Sequence, residues 1–325
     1  MESKLTLNLR EPNTLSRYLC PMKRLLVESL KITGVLGRKD FDVLDEMCSI
    51  TGYYDDVDNF ISFDEDNPAL RHLDLGEAVF VEGDELPCFG YQTLLESCVL
   101  PRGIKTTLED SEWETGLCES ESLKTLVLPE GLKIVGGFCA CPNLTDLVLP
   151  EGLVEIEDRA FCGCEGITHL HIPKSVESLF GSSFAGCRIK AYDVDKENPY
   201  LTSVDGVIYT KDLSKLVAFP SDYPCKEYVV PETTKIIGYG AFLFSKIEHV
   251  ELPLSLVTIE SEAFCDSNIV SIDVPRRVRK IGYRAFACCQ NLRLVTISDR
   301  RDIPDDMFEG CKRPLLRIKT IAYKK

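Results

Sequence analysis

Nowhere in the 325 residues is there an unbroken apolar run of about 18 residues, the length that a membrane-spanning helix needs. The opening stretch MESKLTLNLREPNTLSRYLC lacks a basic segment followed by an apolar core, so it does not read as a secretory signal. That leaves a cytoplasmic location, or a sequence from which a leader has been trimmed. The short motifs of hydrolases and nucleotide enzymes are missing too: no G-x-S-x-G, no H-E-x-x-H, no Walker loop and no G-x-G-x-x-G. The expectation is a protein that is not an enzyme, with no cofactor and no metal. Positive charge is short: 37 Lys and Arg face 52 Asp and Glu, a formal net charge of -15. Such a surface repels phosphate backbones and anionic lipid, which argues against nucleic acid as a partner.

What the chain does have is enough apolar material for a core, 44% hydrophobic against 27% charged, and a repeat. The segments LTDLVLPEGLVEIEDRAFCGC (144–164), IEHVELPLSLVTIESEAF (247–264) and IVSIDVPRRVRKIGYRAFACC (269–289) share one pattern, L-x-x-L-x-L-P-x-x-L-x-x-I-x-x-x-A-F-x-x-C. Prolines recur at Pro129, Pro150, Pro173, Pro231, Pro253 and Pro275. Phenylalanines recur at Phe138, Phe161 and Phe184, then Phe242, Phe264, Phe286 and Phe308, at intervals of 23, 23, then 22, 22 and 22 residues. L-x-x-L-x-L reads as a short strand with inward apolar positions on a period of two. Proline then ends it, because it has no N–H for the ladder. Ala160, Ala241, Ala263 and Ala285 precede the aromatic ring, where a larger residue would not fit. No single coil can bury its own apolar face, so coils must stack. The fold expected is a mainly β repeat solenoid, a right-handed superhelix with a parallel β-sheet on its concave face and short turns or helices on the convex side.

These strings resemble the BspA-like leucine-rich repeat family of bacteria, over roughly residues 70 to 312. The resemblance extends to the island Asn198-Pro199-Tyr200 followed by D-G-V-I-Y. It implies the solenoid fold and a location at the cell surface or outside the cell, with some relatives implicated in adhesion.

Three parts are expected. Residues 1–69 form an N-terminal α/β cap, with a strand at Lys4–Leu9, a short helix at Thr14–Leu19, a first repeat-like strand at Val27–Ile32 and a helix at Asp40–Met47 capped by Asp40. The acidic stretch 55–66 reads as a solvated loop. Residues 70–312 form the array, interrupted by a β-hairpin insertion at about 193–224. There Asp205-Gly206 favours a type I′ turn, and the insertion reads as a spacer on one edge. Residues 313–325 form a C-terminal capping strand.

Fifteen cysteines are present, and Cys141, Cys164, Cys187, Cys289 and Cys311 all fall three residues after the repeat phenylalanine. One small, weakly polar residue per coil reads as packing. The C-x-C pairs Cys139/Cys141 and Cys162/Cys164 and the adjacent Cys288-Cys289 lack the spacing of common zinc sites.

Binding candidates come from the outward positions of the strands. All four histidines, His72, His169, His171 and His249, fall there. Strand alignment places Asp146 beside His169 and Asp193 beside His171, a cluster spanning three strands, and puts Glu227, His249, Glu251 and Asp273 on the same face further along. Val99, Val127 and Val148 share one outward position and form an apolar strip. The reading is a monomeric, non-enzymatic recognition module that binds a protein, peptide or glycan through its concave sheet. Two alternatives stand beside it: a structural or adhesive surface component, and a metal-binding or catalytic use of the His/Asp cluster.

Overall fold

The computed structural model describes residues 3–48, 52–54, 60–62, 69–89, 93–108, 117–297, 304–312 and 315–318. The chain divides into two compact units, residues 1–155 with 163–167, and residues 156–162 with 168–325. Both are parallel β-solenoids.

In the first unit six strands stack in chain order: Lys4–Leu9, Ser29–Leu36, His72–Phe80, Ser97–Val99, Thr125–Val127 and Asp146–Val148. Every neighbouring pair is parallel, so the chain must travel round the coil between them. Leu30, Leu73, Cys98 and Leu126 occupy the inward positions and are buried, while Leu147 is half-buried. Stacking starts earlier than the segment Val27–Ile32, because Lys4–Leu9 already pairs with Ser29–Leu36 in register from Lys4↔Ser29 to Leu9↔Gly34. The helix spans Arg38–Cys48 and buries Phe41, Leu44 and Met47. Asp40 is not its cap. It lies inside the first turn, buried, and its carboxylate accepts N–H bonds from Asn13 (2.7 Å), Leu15 (2.8 Å) and Gly37 (2.9 Å). One side chain thereby ties the helix to the segment before it. Within 55–66, Phe60–Ser62 forms a short antiparallel strand against Gly52–Tyr54; the rest of that stretch lies outside the described residues.

In the second unit Leu170–Ile172 pairs with Tyr192–Val194, and Glu227–Val229, His249–Glu251, Ser271–Asp273, Leu294–Ile297 and Leu315–Ile318 form one parallel sheet. A second row, Lys215–Ala218, Ile236–Ile237, Thr258–Ile259 and Lys280–Ile281, stacks in the same sense. On a third side three successive repeat phenylalanines donate their N–H to the next turn: Phe242 to Ala263 (2.7 Å), Phe264 to Ala285 (2.8 Å) and Phe286 to Met307 (3.1 Å). The rings stack accordingly, Phe242 on Phe264 at 4.6 Å and Phe264 on Phe286 at 5.3 Å. Each ring is fully buried and contributes about 2–3 kcal/mol of apolar burial.

Proline acts twice in each turn. It stops the strand, and its carbonyl accepts the N–H three residues on: Thr234 donates to Pro231, Leu256 to Pro253 and Val278 to Pro275, each at 3.0 Å. In the first unit Gly131 and Gly152 take the third place of this turn at φ +93, the left-handed value that a type II turn requires there.

The interruption is not a spacer. Leu201–Val204 and Val207–Thr210 form an antiparallel hairpin whose corner residues Asp205 and Gly206 have φ +51 and +79. Lys215–Ala218 then folds back on the hairpin and pairs in parallel with Ile236–Ile237, joining the second row. Val207, Tyr209 and Leu216 are fully buried in the core, and the Tyr209 hydroxyl meets that of Tyr228 at 2.8 Å. Phe219 stacks on Phe242 at 4.6 Å and donates its N–H to Ala241 at 2.8 Å. It follows Ala218 and precedes Phe242 by 23 residues. The rhythm therefore resumes before Pro231, and the meander is spliced into one turn. Asn198 locks it in place: fully buried, its Nδ2 donates to the carbonyls of Pro173 (3.0 Å) and Val176 (2.9 Å), and its Oδ1 accepts from the N–H groups of Tyr200 and Leu201, both at 2.8 Å.

Candidate functional site

Each strand of the second unit's sheet buries its middle residue: Tyr228, Val250 and Ile272 point into the core. The flanking residues must then face outward, because successive side chains alternate. Glu227, His249 and Ser271 form one outward row, in register Glu227↔His249↔Ser271. Val229, Glu251 and Asp273 form the other, with Val229↔Glu251 paired directly. Together the three strands floor an open depression of about 380 Å³. Its rim carries three carboxylates, Glu227, Glu251 and Asp273, and one imidazole, that of His249. Glu227 and Glu251 have no ion-pair partner among the described residues. Val229 is 65% exposed, so an apolar contact lies among the charges. This arrangement can hold a cationic group against an aliphatic surface.

The other predicted residues divide. His171 pairs in register with Asp193, and its Nδ1 lies 2.7 Å from Asp193 Oδ2. Both side chains are more than half exposed, so the pair is worth little to stability. His169 hydrogen-bonds Thr168 Oγ1 at 3.0 Å instead. Asp146 and Val148 belong to the first unit. There Thr125 Oγ1 donates to Asp146 Oδ2 at 3.4 Å. Val148 is 79% exposed and continues the register Val99↔Val127↔Val148. His72, on the same sheet, shares a hydrogen bond with Ser97 Oγ at 2.9 Å.

The repeat cysteines serve the frame. Cys164 donates its S–H to the carbonyl of Phe138 (3.1 Å), Cys187 to Phe161 (3.2 Å), Cys289 to Phe264 (2.9 Å) and Cys311 to Phe286 (3.0 Å). Each thiol thus satisfies the phenylalanine carbonyl one turn back. The spacing shows only that a small residue recurs here. The donor role needed coordinates. Away from that ladder, burial pushes the Cys98 thiol up to about 12, which leaves it protonated and inert at neutral pH.

No curated protein matches the sequence. Among solved structures, a leucine-rich repeat protein from Eubacterium ventriosum ATCC 27560 superposes with a TM-score of 0.54 at 15% identity, covering 96% of this chain and 72% of that one. A leucine rich cell surface protein from Faecalibacterium prausnitzii A2-165 gives a TM-score of 0.55 at 18% identity, covering 98% and 83%. At such identities the likeness establishes the fold. The family described as BspA type leucine rich repeat region matches in six copies over residues 86–203 and 216–322. The chain belongs to the BspA type leucine-rich repeat family.

Proposed function

We propose that the protein is a non-enzymatic recognition module whose second-unit sheet takes a cationic, partly aliphatic segment of a protein or peptide partner. The observation that carries this reading is the outward row Val229, Glu251 and Asp273 with Glu227 beside it: carboxylates gathered round an exposed valine over a depression large enough for a few side chains. A lysine or arginine laid there finds opposite charge for its head and apolar surface for its stem. Anisotropy of a labelled peptide alternating lysine and leucine tests it. The triple variant Glu227→Lys, Glu251→Lys, Asp273→Lys should weaken binding about tenfold or more, since each exposed ion pair contributes up to ~1 kcal/mol. A control reversing Glu130, Glu151 and Glu232, each in the turn after a strand-ending proline, corrects for net charge. Equal loss in both variants would defeat the proposal. An adhesive surface component is a second reading, supported by the cell-surface description of the Faecalibacterium relative; it expects no dependence on this one face.

A further inference from the structure

Cys265, Asp266 and Cys288 come from two successive turns of the second unit, and their Sγ, carboxylate and Sγ atoms all lie within 4.8 Å of one another. Their origin explains why cysteine spacing did not reveal them: Cys265 follows the repeat phenylalanine by one residue, and Cys288 follows the next by two. That second place is left-handed in turn after turn, and it is filled by Ala140, Gly163, Gly186, Phe244 and Gly310 elsewhere. Here it holds Asp266 at φ +52 and Cys288 at φ +56, and both carry atoms that can ligate a metal. Stacking fixes their approach. Asp266 donates its N–H to the Ala287 carbonyl at 2.9 Å, and Cys288 donates its own to Glu309 at 2.7 Å. Gly310 keeps the space open, because a Cβ there would come within 2.9 Å of Cys288 Sγ. Cys265 Sγ already lies 3.4 Å from the Asp266 carboxylate.

We propose that Cys265, Asp266 and Cys288 bind one zinc ion, or a divalent ion of similar softness, clamping two adjacent turns. Two thiolates and a carboxylate are a zinc donor set, and a water completes the tetrahedron. Ligand bonds of about 2.0–2.3 Å require sulfur atoms about 3.8 Å apart, a contraction of roughly one ångström from the present limit. Zinc displaces the two thiol protons to solvent, so three anionic ligands surround a divalent ion. The remaining negative charge faces Arg284, whose Nη2 lies 4.0 Å from Cys288 Sγ and whose Nε lies 3.4 Å from the Glu309 carboxylate.

The test uses the full chain, reduced, titrated with zinc against a chromophoric chelator and with cobalt(II) followed by its thiolate charge-transfer and d–d bands. One equivalent should bind with tetrahedral cobalt bands. Cys288→Ser should lower affinity about a hundredfold and Asp266→Asn about tenfold, while Cys20→Ser and Cys225→Ser, at exposed thiols, should leave it unchanged. Asp266 reaches solvent, so its variant keeps the test valid if substitutions at the buried Cys265 prevent folding. Absence of a stoichiometric site would overturn the proposal. So would binding that survives the Asp266→Asn, Cys288→Ser double variant, or a Cys265–Cys288 disulfide in protein isolated without reductant.

Discussion

The sheets of the two units are built on one frame and differ in what they show outward. In the first, the position two residues before the proline reads Val99, Val127, Val148; in the second it reads Val229, Glu251, Asp273. Four residues before the proline the letters are Ser97, Thr125, Asp146 against Glu227, His249, Ser271. The residues between them point inward and are apolar in both units, Leu126 and Leu147 in one, Tyr228, Val250 and Ile272 in the other. Packing constrains the inward letters and leaves the outward ones free. One surface is therefore an aliphatic strip and the other an acidic depression, with no change of backbone plan.

The comparison breaks most readily at the frame. Phe264→Ala removes a fully buried ring stacked between Phe242 and Phe286, and should cost about 3–5 kcal/mol. Val148→Ser or Glu251→Gln should fall within about 0.5 kcal/mol of wild type. Denaturant midpoints measure both. A costly outward substitution would show that the faces carry structure as well as display.

Asn198 comes next. Its amide makes four hydrogen bonds, three of them buried, and holds the spliced meander to the turn before it. Asn198→Ala should cost about 2–4 kcal/mol, because the backbone groups it serves lose their partners without regaining water. Limited proteolysis should then cut first within 199–215. A cut elsewhere would show that the meander holds by its apolar contacts alone.

Cysteine is a smaller test of the frame. Cys187→Ala removes the donor to the Phe161 carbonyl and should cost about 1–2 kcal/mol. Cys187→Ser restores a donor and should recover part of that loss. A serine variant worse than alanine would show that sulfur volume matters more than the hydrogen bond.

The frame was legible in the sequence because its signals are periodic. Alternation identifies the inward leucines, and proline marks where each strand stops. The outward rows follow by the same alternation, which is why Glu227, His249, Glu251 and Asp273 could be grouped before any coordinates. What escaped was aperiodic. Ala218-Phe219 has the repeat's own dipeptide but sits 35 residues after Phe184, since the meander lengthens that one turn. Asp40 reads as a helix cap by its neighbours, although its carboxylate serves residues before the helix. Cys265 and Cys288 converge only because successive turns stack with their phenylalanines aligned.

The smallest effect concerns the turn joining the last two strands of the meander. Asp212 accepts hydrogen bonds from the Ser214 N–H (3.1 Å), the Thr210 hydroxyl (2.8 Å) and the Ser214 hydroxyl (2.8 Å). These donors, the backbone N–H foremost, hold its carboxyl down to about 2. A carboxylate held below its unfolded value stabilises the fold at pH above the ordinary aspartate range near about 4. That contribution fades as pH falls through about 4 and is gone below about 2. Asp212 is exposed, so the effect is local. Amide exchange at Ser214 should quicken between pH 4 and pH 2 relative to Asp212→Asn, whose side chain does not titrate there. Parallel profiles for the two proteins would mean that the turn is held by its backbone and by the strands on either side, as the turns after Pro231, Pro253 and Pro275 are.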